Sequence, residues 1–145
     1  MYLEIGSIVP TLLKLMLTSS MLFLTAQQSC SQQTTPVAKG GWGGQSIALD
    51  VKDTGATLEF DCASGKVTSQ IMVAKDGTFG VDGTYTQNTP GPVREDRPPN
   101  SRAVKYTGKV NGKSMTLSIT DSKSGEKLGT FALELGANPR LHRCY

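Results

Sequence analysis

Apolar and polar residues alternate along most of the chain beyond residue 45. A period of two places one set of side chains on a buried sheet face and the other in solvent. The apolar sets are Ile47, Leu49, Val51; Leu58, Phe60, Cys62; Val67, Ile71, Val73; Phe79, Val81, Tyr85; Val104, Tyr106, Val110; Met115, Leu117, Ile119; and Phe131, Leu133, Leu135. Together with a short last segment, Arg140–Tyr145, they predict about eight strands.

Short connections with turn residues favour an antiparallel order of these strands. Asn111-Gly112 has the composition of a two-residue hairpin turn, and Asp53-Thr54-Gly55 separates the first two strands. Sequential strands without helical crossovers exclude a parallel sheet of the usual kind. Closure into a barrel removes both edges of such a meander. We therefore predict an all-β, antiparallel up-and-down barrel, with a two-sheet β-sandwich as the alternative.

The glycine-rich run Gly40–Gly44 contains the only tryptophan, Trp42. Glycine lets backbone and side chains approach an indole closely, and a buried indole needs a partner for its N–H. The run predicts a ring that closes one end of the core, just before a first strand at Gln45–Lys52. The alternative is a flexible linker with an incidental tryptophan.

One connection, residues 88–102, is long and contains four prolines. Proline cannot donate to a strand ladder, and long loops in small domains often carry function. One interpretation is a contact loop in which Arg94, Arg97 and Arg102 bind a partner, with Trp42 as a further binding candidate. The other interpretation is a solvated connection that proline stiffens.

The first thirty residues differ in composition from the rest of the chain. An apolar run after Lys14 is too short to span a bilayer and is typical of a secretory signal peptide. Cleavage after Ala26 would release a secreted protein, whereas Ser29-Cys30 resembles a bacterial lipobox that would make Cys30 the lipidated N-terminus. We predict a signal peptide at residues 1–30, a polar tether at 31–39 and one β domain at 40–145. The protein is then exported, either as a periplasmic or outer-membrane-anchored lipoprotein or in secreted form.

The three cysteines leave one pair once Cys30 is assigned to the leader. An exported chain makes a disulfide between Cys62 and Cys144 the expected outcome, with two unpaired buried thiols as the alternative. Strand spacing requires this bridge to lie at a barrel end rather than in mid-sheet, because the two predicted strands are not adjacent.

Composition excludes several function classes. The net charge is only +3, without a basic cluster interleaved with aromatics, so we predict no nucleic-acid binding. The single histidine, His142, has no motif around it that would supply a nucleophile, a cofactor or a metal. Glu59 and Asp61 share a strand face but are typical of solubilising charges. We therefore predict a non-catalytic protein without cofactor or metal.

Two resemblances add to this interpretation. Gly40-x-Trp42 resembles the Gly-x-Trp signature of lipocalins and other calycins, which implies a calycin-like barrel. In those barrels a C-terminal arginine packs across the tryptophan ring, and Arg140 or Arg143 would take that role here through a cation–π contact.

A second resemblance covers nearly all of residues 41–145. The motifs are Trp-Gly-Gly at 42–44, Leu-Glu-Phe-Asp-Cys-Ala at 58–63, Gly-Thr-Tyr at 83–85, Gly-Pro-Val-Arg at 91–94 and Pro-Arg-Leu-x-x-Cys at 139–144. With these motifs the chain resembles a family of small, uncharacterised exported bacterial proteins. The resemblance implies export and two cysteines in the domain, but no activity.

Two function hypotheses follow. The first is a protein-binding module of the cell envelope, of the inhibitor or assembly type, in which large inward side chains fill a small barrel. The second is a carrier of a small apolar ligand, which would need an interior cavity of about 300 Å³ or more. The inward candidates are Phe60, Phe79, Tyr85, Tyr106, Met115 and Phe131.

Overall fold

A computed structural model of the chain describes residues 32–88, 96, 99–142 and 144. The predicted signal peptide at residues 1–30 lies outside this set, and so do Cys30, Arg94, Arg97 and Arg143. The described residues contain no helix that is long and apolar enough to cross a membrane.

The described residues form ten strands and no α-helix. Two strands are short, and seven of the other eight carry the alternating burial that the sequence pattern predicts. The strands are β1 (Thr35–Pro36), β2 (Gly40–Gly44), β3 (Ile47–Lys52), β4 (Gly55–Phe60), β5 (Ala63–Val67), β6 (Met72–Val73), β7 (Thr78–Gln87), β8 (Asn100–Asn111), β9 (Ser114–Asp121) and β10 (Lys127–Leu135).

Eight of these strands close into an antiparallel up-and-down barrel, which confirms the predicted fold class. The order around the barrel is β2, β3, β4, β5, β7, β8, β9, β10, with β10 returning to pair with β2. Only three residue pairs make that closing contact, from Leu133–Gly44 to Leu135–Trp42.

The first and last strands differ from the prediction. The glycine-rich run is itself a barrel strand, and Gly40–Gly44 pairs with Ile47–Val51. The C-terminal segment is not an eighth strand, because its described residues make only one isolated bridge, between Gln45 and Arg140. A run with one bulky side chain among four glycines shows no alternation, so the sequence pattern could not identify it as a strand.

The predicted strand across residues 67–73 is divided in two. β5 ends at Val67 and stays in the barrel, whereas β6 leaves it and pairs with β1. β1 falls within the predicted polar tether at residues 31–39, and Val37, which follows it, is buried. Part of that segment therefore belongs to the folded domain, which begins before residue 40.

Large side chains fill the barrel interior. Trp42 is 1% exposed and its indole N–H donates to the Ala38 carbonyl at 3.0 Å, so the N-terminal segment satisfies the ring. Tyr106 is equally buried, and its hydroxyl donates to the Thr84 carbonyl at 2.7 Å. Burial raises the pKa of this phenol, which keeps it a neutral donor.

The disulfide between Cys62 and Cys144 joins positions 82 residues apart, with a Cα–Cα distance of 5.5 Å. Cys62 lies in the turn between β4 and β5, at the barrel end that also carries the β2–β3 and β9–β10 connections. We call this the cysteine end. The predicted pairing and its location at a barrel end are both confirmed.

The C-terminal strap, residues 136–142 and 144, takes the place of the predicted eighth strand. It crosses the outer face of β2, where the Gly136 N–H donates to the Gly41 carbonyl at 2.8 Å. Further on, the Arg140 N–H donates to the Gly44 carbonyl at 3.0 Å, and the His142 N–H donates to the Asp61 carboxylate at 2.7 Å. The His142 N–H, with the Ser46 hydroxyl, lowers the pKa of the Asp61 carboxyl.

Two glycines of β2 make a matched test of how the strap is seated. A Cβ at Gly43 would lie within 3.0 Å of the Ala137 carbonyl, whereas a Cβ at Gly41 meets nothing within 4 Å. We expect Gly43→Ala to lower the free energy of unfolding by about 1–3 kcal/mol, because backbone must move to admit the methyl group. Hydrogen exchange of the Arg140 amide and thermal unfolding are the measurements. An equal loss of stability and equally fast exchange of the Arg140 amide in Gly41→Ala would contradict this account of the strap.

Candidate functional site

Three aromatic rings meet inside the barrel at its cysteine end. Phe60 lies between Tyr85 and Phe131, with ring centroids 5.5 Å and 5.3 Å apart. Phe60 is buried, whereas Tyr85 and Phe131 are half-buried. Tilted pairs at these separations stabilise one another beyond their burial. The rings close the core at this end, and they leave partly exposed edges toward solvent.

An arginine and an aspartate continue the inward-facing rows beyond these rings. Arg102 is on the β8 face that carries Val104 and Tyr106, and Asp121 is on the β9 face that carries Ile119. The Arg102 Nη1 and the Asp121 Oδ2 are 3.7 Å apart. The Asp121 residue is 8% exposed and is the one buried charged residue in the described ranges.

Main-chain donors hold the Asp121 carboxylate in place. Its Oδ1 accepts the N–H of Lys123 at 2.8 Å and the N–H of Ser124 at 3.0 Å. These two N–H groups, with a smaller contribution from the Arg102 charge, lower the pKa of Asp121. The carboxylate therefore fixes the β9–β10 connection with one oxygen and orients Arg102 with the other.

A surface groove of about 840 Å³ lies beside this ion pair. We call it the rim groove. Arg102 and Lys123 contribute cations, Asp121 and Glu126 contribute carboxylates, and three serines contribute hydroxyls. The groove is lined by Ser101, Arg102, Ala103, Asp121, Ser122, Lys123, Ser124 and Glu126.

A second, shallower groove of about 250 Å³ lies on the outside of β2, β3 and β4, beside the strap. Ala137 and Pro139 of the strap form one of its walls. Neither this groove nor the rim groove is lined by the predicted inward aromatic residues. Four of the six inward candidates are buried and two are half-buried, so these side chains occupy the barrel interior.

The predicted site residues have different outcomes. Arg102 does line the rim groove, although it belongs to β8 rather than to the predicted loop, which ends before Asn100. Trp42 has a structural role instead of the expected binding role, because its ring is buried and its N–H is satisfied. Within the described ranges, Arg140 makes no cation–π contact with Trp42 and holds the strap through its main chain.

Sequence reasoning did not identify Asp121 and the β9–β10 connection. A signal was present, since Asp121 occupies the next inward position after Met115, Leu117 and Ile119. A charge at a core-facing position is rarely buried without partners.

The described side chains include no cluster of three or more potential metal ligands. His142 approaches Asp61 through its main-chain N–H, and the residue is exposed.

Acidification should remove the contribution of the Asp121 carboxylate to the stability of the fold. A carboxyl whose folded pKa is lowered stabilises the fold above its unfolded pKa of about 3.9, and this contribution is lost as pH falls through the folded value. We expect Asp121→Asn to be less stable than the unsubstituted protein at neutral pH, with the difference shrinking on acidification. Urea unfolding midpoints from neutral pH to about pH 2 measure this. A difference that stays constant with pH would contradict the assignment.

Comparisons with protein-family models, curated proteins and solved structures found no match to this chain. The resemblances to calycins and to the small exported bacterial proteins therefore stay predictions from the sequence. What the chain does must be argued from the rim groove and the barrel themselves.

Proposed function

We propose that this chain is an exported, non-catalytic protein-binding module of the bacterial cell envelope, and that it binds its partner at the cysteine end of the barrel. The observation that carries the proposal is the combination of a filled interior with a charged groove on the rim. Interfaces of binding modules are built on loops that a rigid scaffold positions. The barrel is that scaffold, and the groove lies at the start of β8 and at the β9–β10 connection.

The filled interior supports surface binding over the carrier alternative. A carrier of an apolar ligand needs a concave apolar cavity, and pockets of this kind enclose at least about 300 Å³. The larger groove lies on the rim rather than inside the barrel, and seven of its eight lining residues are polar or charged. The rim groove is therefore better suited to the polar surface of a partner protein than to a small apolar molecule.

Export is part of the proposal. The disulfide supports it, because such bridges persist mainly in oxidising compartments. The leader would be removed, and lipidation of Cys30 would place the barrel at the periplasmic or outer-membrane surface. Intact mass of the protein from its native host tests this, and a full-length chain recovered from the cytoplasm would contradict export.

Site-specific crosslinking in the native host tests the binding surface. A photoreactive residue replaces Ser122 in the rim groove or, as the matched control, Thr116 on the exposed outer face of β9. We expect a defined protein adduct from position 122 and none from position 116. Equal adducts from both positions, or adducts from neither, would contradict binding at the rim.

A further inference from the structure

Among the described strands, the part of β8 beside the rim groove has a pairing partner on one side only. Its ladder with β7 continues to Gln87–Asn100, whereas its ladder with β9 ends at Val104–Asp121. Beyond that pair, one further bond joins the Ser122 N–H to the Ala103 carbonyl at 3.0 Å. Residues 100–103 of β8 thus form a strand edge that no other described strand covers.

Two main-chain groups of this edge point toward the groove. Main-chain groups alternate in direction along a strand, so the Ala103 N–H and the Ser101 carbonyl face the same side as the Ala103 carbonyl. The described backbone supplies no hydrogen-bond partner for either group. The Ser101 N–H, in contrast, donates to the Pro99 carbonyl at 2.7 Å.

The positions of these two main-chain groups favour a parallel orientation for a strand added beside β8. In a parallel ladder, one residue of the added strand bonds to the residues before and after its counterpart. Here the Ser101 carbonyl and the Ala103 N–H, which have no partner in the described backbone, flank Arg102 in just that way. An antiparallel strand would need both groups of Ala103, and its carbonyl is already bonded to Ser122.

The charges of the groove favour an acidic side chain opposite Arg102. The Arg102 side chain is 35% exposed, and among the described residues it contacts one carboxylate, that of Asp121, through a single pair of atoms 3.7 Å apart. A guanidinium has five N–H donors, so several stay available for a second carboxylate. The Asp121 carboxylate is buried and already accepts main-chain hydrogen bonds. The solvent-accessible charges of the groove are therefore two cations, Arg102 and Lys123, and one carboxylate, Glu126.

We propose that the rim groove binds an extended acidic segment of a partner protein as a strand parallel to β8. The segment bonds the Ser101 carbonyl and the Ala103 N–H through one residue, and an acidic side chain of that residue contacts Arg102. Strand addition of this kind takes affinity from main-chain bonds and specificity from alternate side chains. This inference rests on the proposed function and specifies the chemistry of the partner.

The test uses the full chain, isotopically labelled, and a capped five-residue peptide Thr-Val-Glu-Val-Thr. Two analogues have glutamine or N-methylglutamate at the centre. We expect the glutamate peptide to shift the amide resonances of Ala103 and Lys123, and both analogues to bind about tenfold more weakly or worse. Arg102→Gln should abolish the preference for glutamate over glutamine, while Lys113→Gln, a cation at the opposite barrel end, should preserve it.

Two results would overturn strand addition. One is the absence of resonance shifts at Ala103 with the glutamate peptide at millimolar concentration. The other is equal binding of the N-methylated peptide, because strand addition needs that N–H. A partner crosslinked from position 122 together with either result would preserve the proposed function and reject only this binding mode. Peptide binding without any crosslinked partner would support the groove chemistry while the proposed function fails.

Discussion

Replacing Trp42 by alanine should lower the free energy of unfolding by about 4 kcal/mol, within the range of about 3–5 kcal/mol that large-to-small substitutions of buried aromatics cost. The ring is 1% exposed, and it packs in a strand that closes the barrel with β10 through three residue pairs. Removing the indole also leaves the Ala38 carbonyl without its donor. For a domain of ordinary stability, a loss of this size is a large share of the total.

Two control substitutions separate the contributions to this loss. Trp42→Phe retains apolar volume but has no N–H, so we expect a loss of about 1–3 kcal/mol from the unsatisfied Ala38 carbonyl and imperfect fit. Met72→Ala removes a side chain on a residue that is 38% exposed and should change stability by less than about 1 kcal/mol. Since Trp42 is the only tryptophan, circular dichroism in urea is the appropriate probe. A Trp42→Ala variant no less stable than Met72→Ala would refute the ring's structural role.

Alternation was sufficient to predict the barrel, because seven of its strands bury one face and expose the other. It was insufficient for β2. There, Gly43 must lack a Cβ for the strap to pass, and Gly44 must lack one for the Ala132 carbonyl to approach. Close approach of backbone from elsewhere in the fold set the residue types, and such approaches leave no periodic pattern in the sequence.

The candidate site was predictable only in part, for a related reason. A proline-rich connection with several arginines made Arg102 a binding candidate, and Arg102 does line the rim groove. The groove itself depends on how far β8 extends beyond β9, a difference in strand length that composition does not express. Asp121 has its role because two main-chain N–H groups of the next turn meet its carboxylate. That geometry belongs to the folded turn rather than to any motif.

Removal of the disulfide is the second change that we expect to have a large effect. In the chain-entropy account, a bridge between positions 82 residues apart stabilises the fold by about 4.5 kcal/mol at most. The bridge also secures the far end of the strap, which otherwise depends on the Arg140 bonds and on the His142–Asp61 contact. We expect Cys62→Ser and Cys144→Ser to lose similar amounts of unfolding free energy, measured by urea denaturation of the oxidised proteins.

The double variant decides whether this loss belongs to one cross-link. Each single substitution already removes the whole bridge, so the double variant should lose little more than either one, whereas independent sites would add. The reduced, unsubstituted protein is the matched control and should unfold at nearly the same urea concentration as the variants. If Cys62→Ser cost far more than Cys144→Ser, packing at Cys62 rather than the bridge would account for the difference. Two reactive thiols in the oxidised, unfolded protein would exclude the bridge, and the described part of the strap would then depend on its hydrogen bonds to Gly41, Gly44, Ser46 and Asp61.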